Sequence, residues 1–134
     1  MSLYVDSSAL LKRYFEEPDS GRFEDALLAD PDWITARVTV VEVRRNLTRR
    51  LQGQDVVVAR RQFERDWRRF SVVELDEATC DRAAELAELT GACSLDALHL
   101  AAIQRVGAGA LPLLTADVRQ AQAARSLGWT VLGA

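Results

Sequence analysis

Short apolar runs alternate along the chain with longer segments in which apolar residues recur at helical spacing. The short runs predict five strands, at residues 3–5, 33–35, 71–75, 111–115 and 129–132. The periodic segments predict seven helices, at residues 9–15, 21–29, 36–51, 55–70, 77–90, 95–106 and 118–127. Suitable caps stand beside two of these helices: Ser7 or Ser8 before the first, Ser94 before the sixth, and Gly107 and Gly109 after the sixth.

The order of these elements predicts an α/β fold. Strands that alternate with helices favour a parallel sheet covered by helices on both faces. In such sheets ligands bind outside the carboxyl ends of the strands. Asp6 ends the first predicted strand and Asp117 follows the fourth, so both are expected at that edge. With 134 residues and no repeat or linker, the chain is expected to form a single domain over residues 1–134.

Four acidic residues lie among apolar neighbours, where an unpaired carboxylate is costly to bury. They are Asp6, Glu42, Asp96 and Asp117. Because they are spread over nearly the whole chain, only the fold can bring them together. Such a cluster would need a divalent cation to offset its charge, so metal-dependent chemistry on phosphate esters is the leading hypothesis.

Each acid also has an ordinary structural interpretation. Asp6 and Asp117 are suitable N-caps, although the serines after Asp6 make that role partly redundant. Asp96 stands in the first turn of a helix, where the helix dipole favours negative charge. Glu42 has Arg45 three residues further along its helix, and taken alone it is better explained by an exposed ion pair. Only the company of the other three acids favours Glu42 as a site residue.

The histidine and the two cysteines provide weaker signals. His99 follows Asp96 by three residues, so both could share a helical face. A histidine between two leucines is more typical of a satisfied core residue than of a catalytic base, and nothing at suitable spacing completes a zinc site. Cys80 and Cys93 form neither a metal-binding spacing nor a disulfide framework, which predicts a reduced, cytoplasmic protein. No apolar run is long enough to span a bilayer, so no membrane partner is expected.

Charge is distributed unevenly along the chain. A net charge of −3 and a pI of about 5.2 provide no overall sign of nucleic-acid binding. Residues 37–69 nevertheless carry ten arginines and four acids, a local balance of +6 against −9 for the remainder. Such asymmetry can steer a polyanion to one face. The plainer interpretation, a pair of helices with solvated arginines, stays open.

Four segments together carry a family resemblance: LYVDSSALLKRYFEEPDS, TVVEVRRNL, SLDALHLAAI and LLTADVRQAQAARSLGWTV. In this order and spacing they resemble a PIN-domain ribonuclease, and more narrowly the VapC-type toxins of type II toxin–antitoxin pairs. The resemblance covers essentially the whole chain. It implies a PIN-like three-layer sandwich in which a five-stranded parallel sheet, in the order 3-2-1-4-5, is flanked by helices.

The resemblance also implies a site and a reaction. The catalytic residues would be the four acids Asp6, Glu42, Asp96 and Asp117. Three of them would hold Mg2+ or Mn2+, namely Asp6, Asp96 and Asp117. Supporting hydroxyls would come from Thr115 and from Ser7 or Ser8. The implied activity is metal-dependent endonucleolytic hydrolysis of RNA by an activated water. Some relatives carry a further acid shortly after the position of Asp117; residues 118–121 here read VRQA, which favours one well-held metal over two.

Partners follow from the same resemblance. It implies an RNA substrate, a cognate antitoxin whose C-terminal segment lies over the acids, and a homodimer. The +6 stretch could then serve RNA, antitoxin or both.

Three alternatives compete with this interpretation. A dehalogenase-like phosphatase wants a second Asp where Ser8 stands, and a receiver domain wants a late lysine, whereas the only lysine is Lys12. Both are therefore disfavoured. A catalytically inactive PIN-fold binding module remains as the alternative.

Overall fold

The computed structural model of the chain describes residues 2–107 and 110–134. Its strands are β1 (Ser2–Val5), β2 (Asp32–Ala36), β3 (Phe70–Val73), β4 (Leu113–Thr115) and β5 (Val131–Gly133). Its helices are α1 (Ser7–Leu11), α2 (Ser20–Leu28), α3 (Val38–Arg50), α4 (Gln54–Trp67), α5 (Glu77–Thr90), α6 (Ser94–Gly107) and α7 (Val118–Ser126). Within the described ranges, no single helix is long and apolar enough to cross a membrane, although α5 and α6, bent by 115°, reach that size and apolar content together.

All five strands form one parallel sheet in the order β3-β2-β1-β4-β5, which confirms the expected topology. β1 lies in the middle, with Tyr4 opposite Ile34 of β2 on one side and Leu113 of β4 on the other. β2 and β3 are added on one side of β1, and β4 and β5 on the other. The carboxyl ends of β1 and β4 therefore border the crevice where ligands bind in such sheets. The ends of these two strands carry Asp6 and Thr115.

Two apolar cores, one on each face of the sheet, produce the three-layer arrangement. Side chains alternate across a strand. Leu3 and Val5 of β1 therefore pack with α1–α4, whereas Tyr4 packs on the opposite face with α5–α7. Trp33 of β2 belongs to the first core and is fully buried. Because β1 is buried on both faces, whatever stands at its end is held rigidly.

Several element boundaries differ from the sequence prediction, among them the first helix, which was expected at 9–15 and ends at Leu11. Two other differences have identifiable reasons. The helix expected at 55–70 ends at Trp67, because Phe70 pairs with Trp33 and begins β3. The strand expected at 111–115 begins only at Leu113, because Pro112 has no N–H to donate to a ladder.

The sixth helix also begins differently from the prediction. Ser94 lies inside the first turn of α6, and the carbonyl of Cys93 accepts the bond from the Ala97 N–H at 2.8 Å, so Ser94 as N-cap was wrong. At its other end, Gly107 closes α6 as predicted, whereas Gly109 lies outside the described residues.

A buried ion-pair network holds α4 against the segment after α1. Asp66 of α4 is 5% exposed and accepts from Arg13 Nε at 2.9 Å, from Arg13 Nη2 at 3.0 Å and from Tyr14 Oη at 2.7 Å. A buried carboxylate is tolerable only when it is paired in this way. Sequence reasoning did not identify Asp66, because its partners lie more than fifty positions away.

Gly133 at the end of β5 is required by both its conformation and its surroundings. Its φ of 96° is in the region that disfavours side chains. An added Cβ would also meet the carbonyl oxygen of Thr115 and stand 2.6 Å from Cε1 of Phe23. The close approach of β5 therefore supports the strand end that carries Thr115.

Candidate metal-binding acidic site

Asp6 is the innermost of the four acids, and two hydroxyl groups hold its carboxylate. It is 3% exposed, and its backbone N–H donates to Leu114 of β4. Oδ2 accepts from Ser8 Oγ and from Thr115 Oγ1, both at 2.7 Å. Hydrogen bonds of this kind stabilise an ionised carboxylate and lessen the penalty of burying it.

The serines after β1 therefore support the acids rather than cap the helix. Asp6 is itself the N-cap residue of α1, without a side-chain capping bond. Ser7 and Ser8 lie inside the first turn, so their predicted capping role was wrong. Ser7 Oγ is 3.0 Å from Glu42 and 3.5 Å from Asp6, so it contacts two of the acids.

Thr115 ties the ends of β1 and β4 together. Besides bonding Asp6, its hydroxyl lies 3.1 Å from Ser8 Oγ and accepts from the Asp117 N–H at 3.1 Å. The Ala116 N–H donates in turn to Ser8 Oγ at 3.0 Å. Both strand ends thus share one network of hydroxyl groups, which fixes the separation between Asp6 and Asp117.

Glu42 enters the site from α3, and its partners are tertiary. Its carboxylate accepts from Ser7 Oγ at 3.0 Å and from His99 Nε2 at 2.7 Å. Among the described contacts it forms no ion pair with Arg45, so the local explanation of Glu42 was wrong. The ion-pair interpretation failed because the side chain turns toward α6 rather than along its own helix.

His99 links Glu42 to the sheet. It is fully buried; its Nδ1 lies 2.8 Å from Tyr4 Oη, and its Nε2 also lies 3.4 Å from Asp6 Oδ1. Burial lowers the pKa of His99, but the hydrogen bond that His99 donates to Glu42 and the charge of Asp6 outweigh it, so the pKa lies above its ordinary value. His99 is thus a satisfied core residue, as predicted, and it also contacts two of the acids.

Asp96 and Asp117 face one another across the mouth of the site. Asp96 is half-buried in the first turn of α6, and burial is the main cause that raises its pKa. The nearby charges of Asp117 and Asp6 raise that pKa further. These three carboxylates therefore repel one another, as the residues around a cation site do before the cation binds.

Asp117 has the N-cap role that its sequence position allowed, and one of its carboxylate oxygens takes no part in capping. It is the N-cap of α7, and its Oδ1 accepts from the N–H groups of Arg119 at 2.9 Å and Gln120 at 3.4 Å. Both capping bonds use Oδ1, so among the described contacts Oδ2 remains for a ligand. The Gln120 amide also donates to the backbone carbonyl of Asp96 at 3.3 Å, which joins α7 to α6.

A cleft of about 590 Å³ opens over these residues. Three of the acids line it, namely Glu42, Asp96 and Asp117. Its far wall is formed by the loop between α5 and α6 and by α7. Among the described residues, Arg119 is the only cation that lines this cleft.

The donor chemistry of the site suits Mg2+ or Mn2+, both of which prefer oxygen ligands. Within residues 2–107 and 110–134, no three acidic, histidine or cysteine side chains already converge with the geometry of a finished metal site. The repulsion that raises the pKa of Asp96 would be relieved by a divalent cation. Asp96 and Asp117 are partly exposed at the cleft mouth, so their side chains have room to rotate toward a cation.

Comparison with known proteins shows the family of this chain. The PIN domain family matches residues 3–126. Ribonuclease VapC46 of Mycobacterium tuberculosis is 31% identical over 133 residues, which cover 98% of this chain and 96% of the relative.

Solved structures show the same fold. The crystal structure of M. tuberculosis VapC20, described as a sarcin-ricin loop cleaving toxin, is similar with a TM-score of 0.77 at 16% identity, over 98% of this chain and 99% of that one. A toxin–antitoxin complex from Klebsiella pneumoniae is similar with a TM-score of 0.68 at 17% identity, over 90% and 89% of the two chains. The family match and the full-length relative together show that the chain belongs to the PIN-domain family and is of the VapC type.

Proposed function

We propose that this protein is the toxin of a type II toxin–antitoxin pair and that it is a Mg2+- or Mn2+-dependent endoribonuclease. The observation that carries the proposal is the convergence of Asp6, Glu42, Asp96 and Asp117 at the carboxyl edge of the sheet, with the pKa of Asp96 raised by burial and by its acidic neighbours. Such perturbed carboxylates in a cleft are typical of catalytic sites. The names of two similar proteins, Ribonuclease VapC46 and the sarcin-ricin loop cleaving toxin VapC20, support this reaction class.

The role proposed for each site residue follows from its contacts. Asp6, Asp96 and Asp117 would hold the metal, which when bound supplies a Lewis acid and an activated water. Ser8 and Thr115 hold the carboxylate of Asp6 in place through the two 2.7 Å hydrogen bonds.

Glu42 would orient the attacking water or complete the metal shell, because Ser7 and His99 fix its carboxylate. In-line attack by that water on the phosphorus would leave a 5′-phosphate and a 3′-hydroxyl.

The decisive experiment compares RNA cleavage by the wild-type protein and by Asp6→Asn. The substitution keeps the size of the side chain and removes its charge, so we expect Mn2+-dependent cleavage to be lost while circular dichroism stays unchanged. Asp81→Asn on the exposed side of α5 is the matched control and should cleave normally. Undiminished metal-dependent cleavage by Asp6→Asn would contradict the assignment.

The partners are proposed on the same basis. The structural similarity to a toxin–antitoxin complex supports a cognate antitoxin, which would lie over the acidic cleft. A homodimer that acts in the cytoplasm is proposed from the family resemblance alone. Co-expression tests the first part: growth arrest caused by the wild-type chain should be relieved by the antitoxin, whereas Asp6→Asn should not arrest growth in either case.

A further inference from the structure

A second cleft of about 550 Å³ lies between α3 and α4, outside the acidic site. Four arginines line it, namely Arg44, Arg45, Arg49 and Arg60. A neighbouring cleft of about 410 Å³ shares two of these residues and adds Arg37, Arg68 and Trp67 to the wall. Because they share Arg44 and Arg60, the two clefts form one depression, which we call the α3–α4 arginine groove.

The charge of this groove is only partly balanced by the protein. Of the residues that the structure describes, Glu64 is the only carboxylate in its lining. It lies 3.8 Å from Arg60, and Arg37 pairs with Glu74 at 2.7 Å. Within the part of the chain that the structure describes, no ion pair involves Arg44, Arg45 or Arg68. Concentrated, exposed guanidinium groups attract a polyanion, and their planar forks suit phosphate.

Two arginines of the groove lie on the same flank of α3 as Glu42. Arg45 and Arg49 follow Glu42 by three and seven positions, so they stand along the same flank of the helix. With a rise of 1.5 Å per residue, they lie about 4.5 and about 10.5 Å further along the axis than Glu42. An RNA strand with one phosphate at the acids would therefore pass Arg45 and Arg49 first. It would then cross the exposed side of α3 to reach Arg44, which lies about 160° around the helix axis from Glu42.

An aromatic ring in the wall favours a nucleic acid over an acidic peptide. Trp67 packs at a tilt against Phe63 and Phe70, with ring centroids 5.6 and 5.7 Å away. Arg37 lies 5.9 Å from the Trp67 ring. Grooves that bind single-stranded nucleic acid combine cations for the backbone with aromatic rings for base stacking. An acidic peptide would use the cations but has no base to stack.

We propose that the α3–α4 arginine groove binds the single-stranded RNA that adjoins the cleaved bond. The proposal rests on the ribonuclease function proposed above and assigns it a substrate-binding surface. Arg44 and Arg60 are its central contacts, because they line both parts of the groove.

The test measures binding separately from cleavage. All variants carry Asp6→Asn and are kept in a chelator, and fluorescence anisotropy follows a fluorescein-labelled oligouridylate of about 12 nucleotides. The double variant Arg44→Ala/Arg60→Ala is compared with Arg61→Ala/Arg65→Ala. The control removes the same charge from exposed positions of α4 that line neither cleft.

We expect the groove variant to bind RNA about tenfold more weakly, and the control to stay within about twofold of the parent protein. The slope of log K against log salt should fall by about 1.4 for the groove variant, which corresponds to about 0.7 per lost phosphate contact on a single strand. Equal losses from both double variants, or no loss from the groove variant, would overturn the proposal.

A parallel titration with a labelled oligoglutamate peptide tests whether the groove binds an acidic protein segment instead of RNA. If the groove variant loses the peptide but binds RNA normally, the groove serves an acidic protein segment and the proposal is wrong. Because neither titration involves metal or cleavage, the result is independent of the Asp6→Asn cleavage assay that tests the proposed function.

Discussion

Removing the hydroxyl of Thr115 should lower the stability of the protein, because this group forms hydrogen bonds to Asp6 and to the Asp117 N–H. Thr115→Val keeps the shape of the side chain but deletes the group that donates to Asp6 at 2.7 Å and accepts from the Asp117 N–H at 3.1 Å. A hydrogen bond to a charged group contributes about 1.5–3 kcal/mol, and a neutral one about 1 kcal/mol. Ser8 still donates to Asp6, so the carboxylate keeps one of its two hydroxyl donors and the decrease is smaller than the sum of both bonds. The net decrease in the free energy of unfolding should therefore be about 2 kcal/mol.

Urea denaturation in a chelator measures this effect without interference from bound metal. Thr115→Ser, which keeps the hydroxyl, should recover most of the stability. Thr130→Val makes the same chemical change at an exposed position and should leave stability nearly unchanged. If Thr115→Val were as stable as Thr115→Ser, the hydroxyl network would not be what holds Asp6, and the reasoning would be refuted.

Three further predictions concern stability and pH. Asp66→Ala should lower the free energy of unfolding by about 3 kcal/mol in urea, because the buried guanidinium of Arg13 then keeps only its ion pair with the partly exposed Glu24; a loss below about 1 kcal/mol would contradict this. Gly133→Ala should lower the melting temperature, because the residue has a φ of 96° and the added Cβ would clash with Thr115 and Phe23. An unchanged melting temperature would contradict this. Hydrogen bonds from the side chain and backbone of Thr79 lower the pKa of Asp76 at the start of α5, so its stabilising effect is complete above the ordinary carboxyl pKa and is lost as the pH falls through the lowered one. Acid titration of Asp76→Ala against wild type should show a stability difference that is larger at neutral pH than in strong acid, and a constant difference would be inconsistent.

The fold could be predicted from sequence because its signals are local. Strands buried on both faces appear as short apolar runs, and helices as apolar stripes, so alternation alone indicates a parallel sheet. The strand order came from the family resemblance. Boundaries failed where tertiary pairing decided them, as at Phe70, which joins β3 opposite Trp33 instead of extending α4.

The site was only partly predictable for a related reason. The topology accounts for Asp6 and Asp117, because both follow strands that end at the same edge of the sheet. It does not account for the partners of Glu42, since the His99 contact spans 57 positions and replaces the expected local pair with Arg45. The contact between Tyr4 and His99 spans 95 positions, and no periodicity could indicate it. In the sequence, only the i, i+3 spacing of Asp96 and His99 indicated that His99 could lie near the acids.

Calorimetric titration of Mn2+ into the metal-free protein tests the central claim most directly. We predict saturable binding with about one ion per chain, since the oxygen ligands of the site suit a single hard cation. Asp96→Asn should abolish that binding, whereas Asp81→Asn should retain it. Binding of Mn2+ that is the same in wild type and Asp96→Asn, or no binding to wild type, would contradict the account and favour a metal-free binding module.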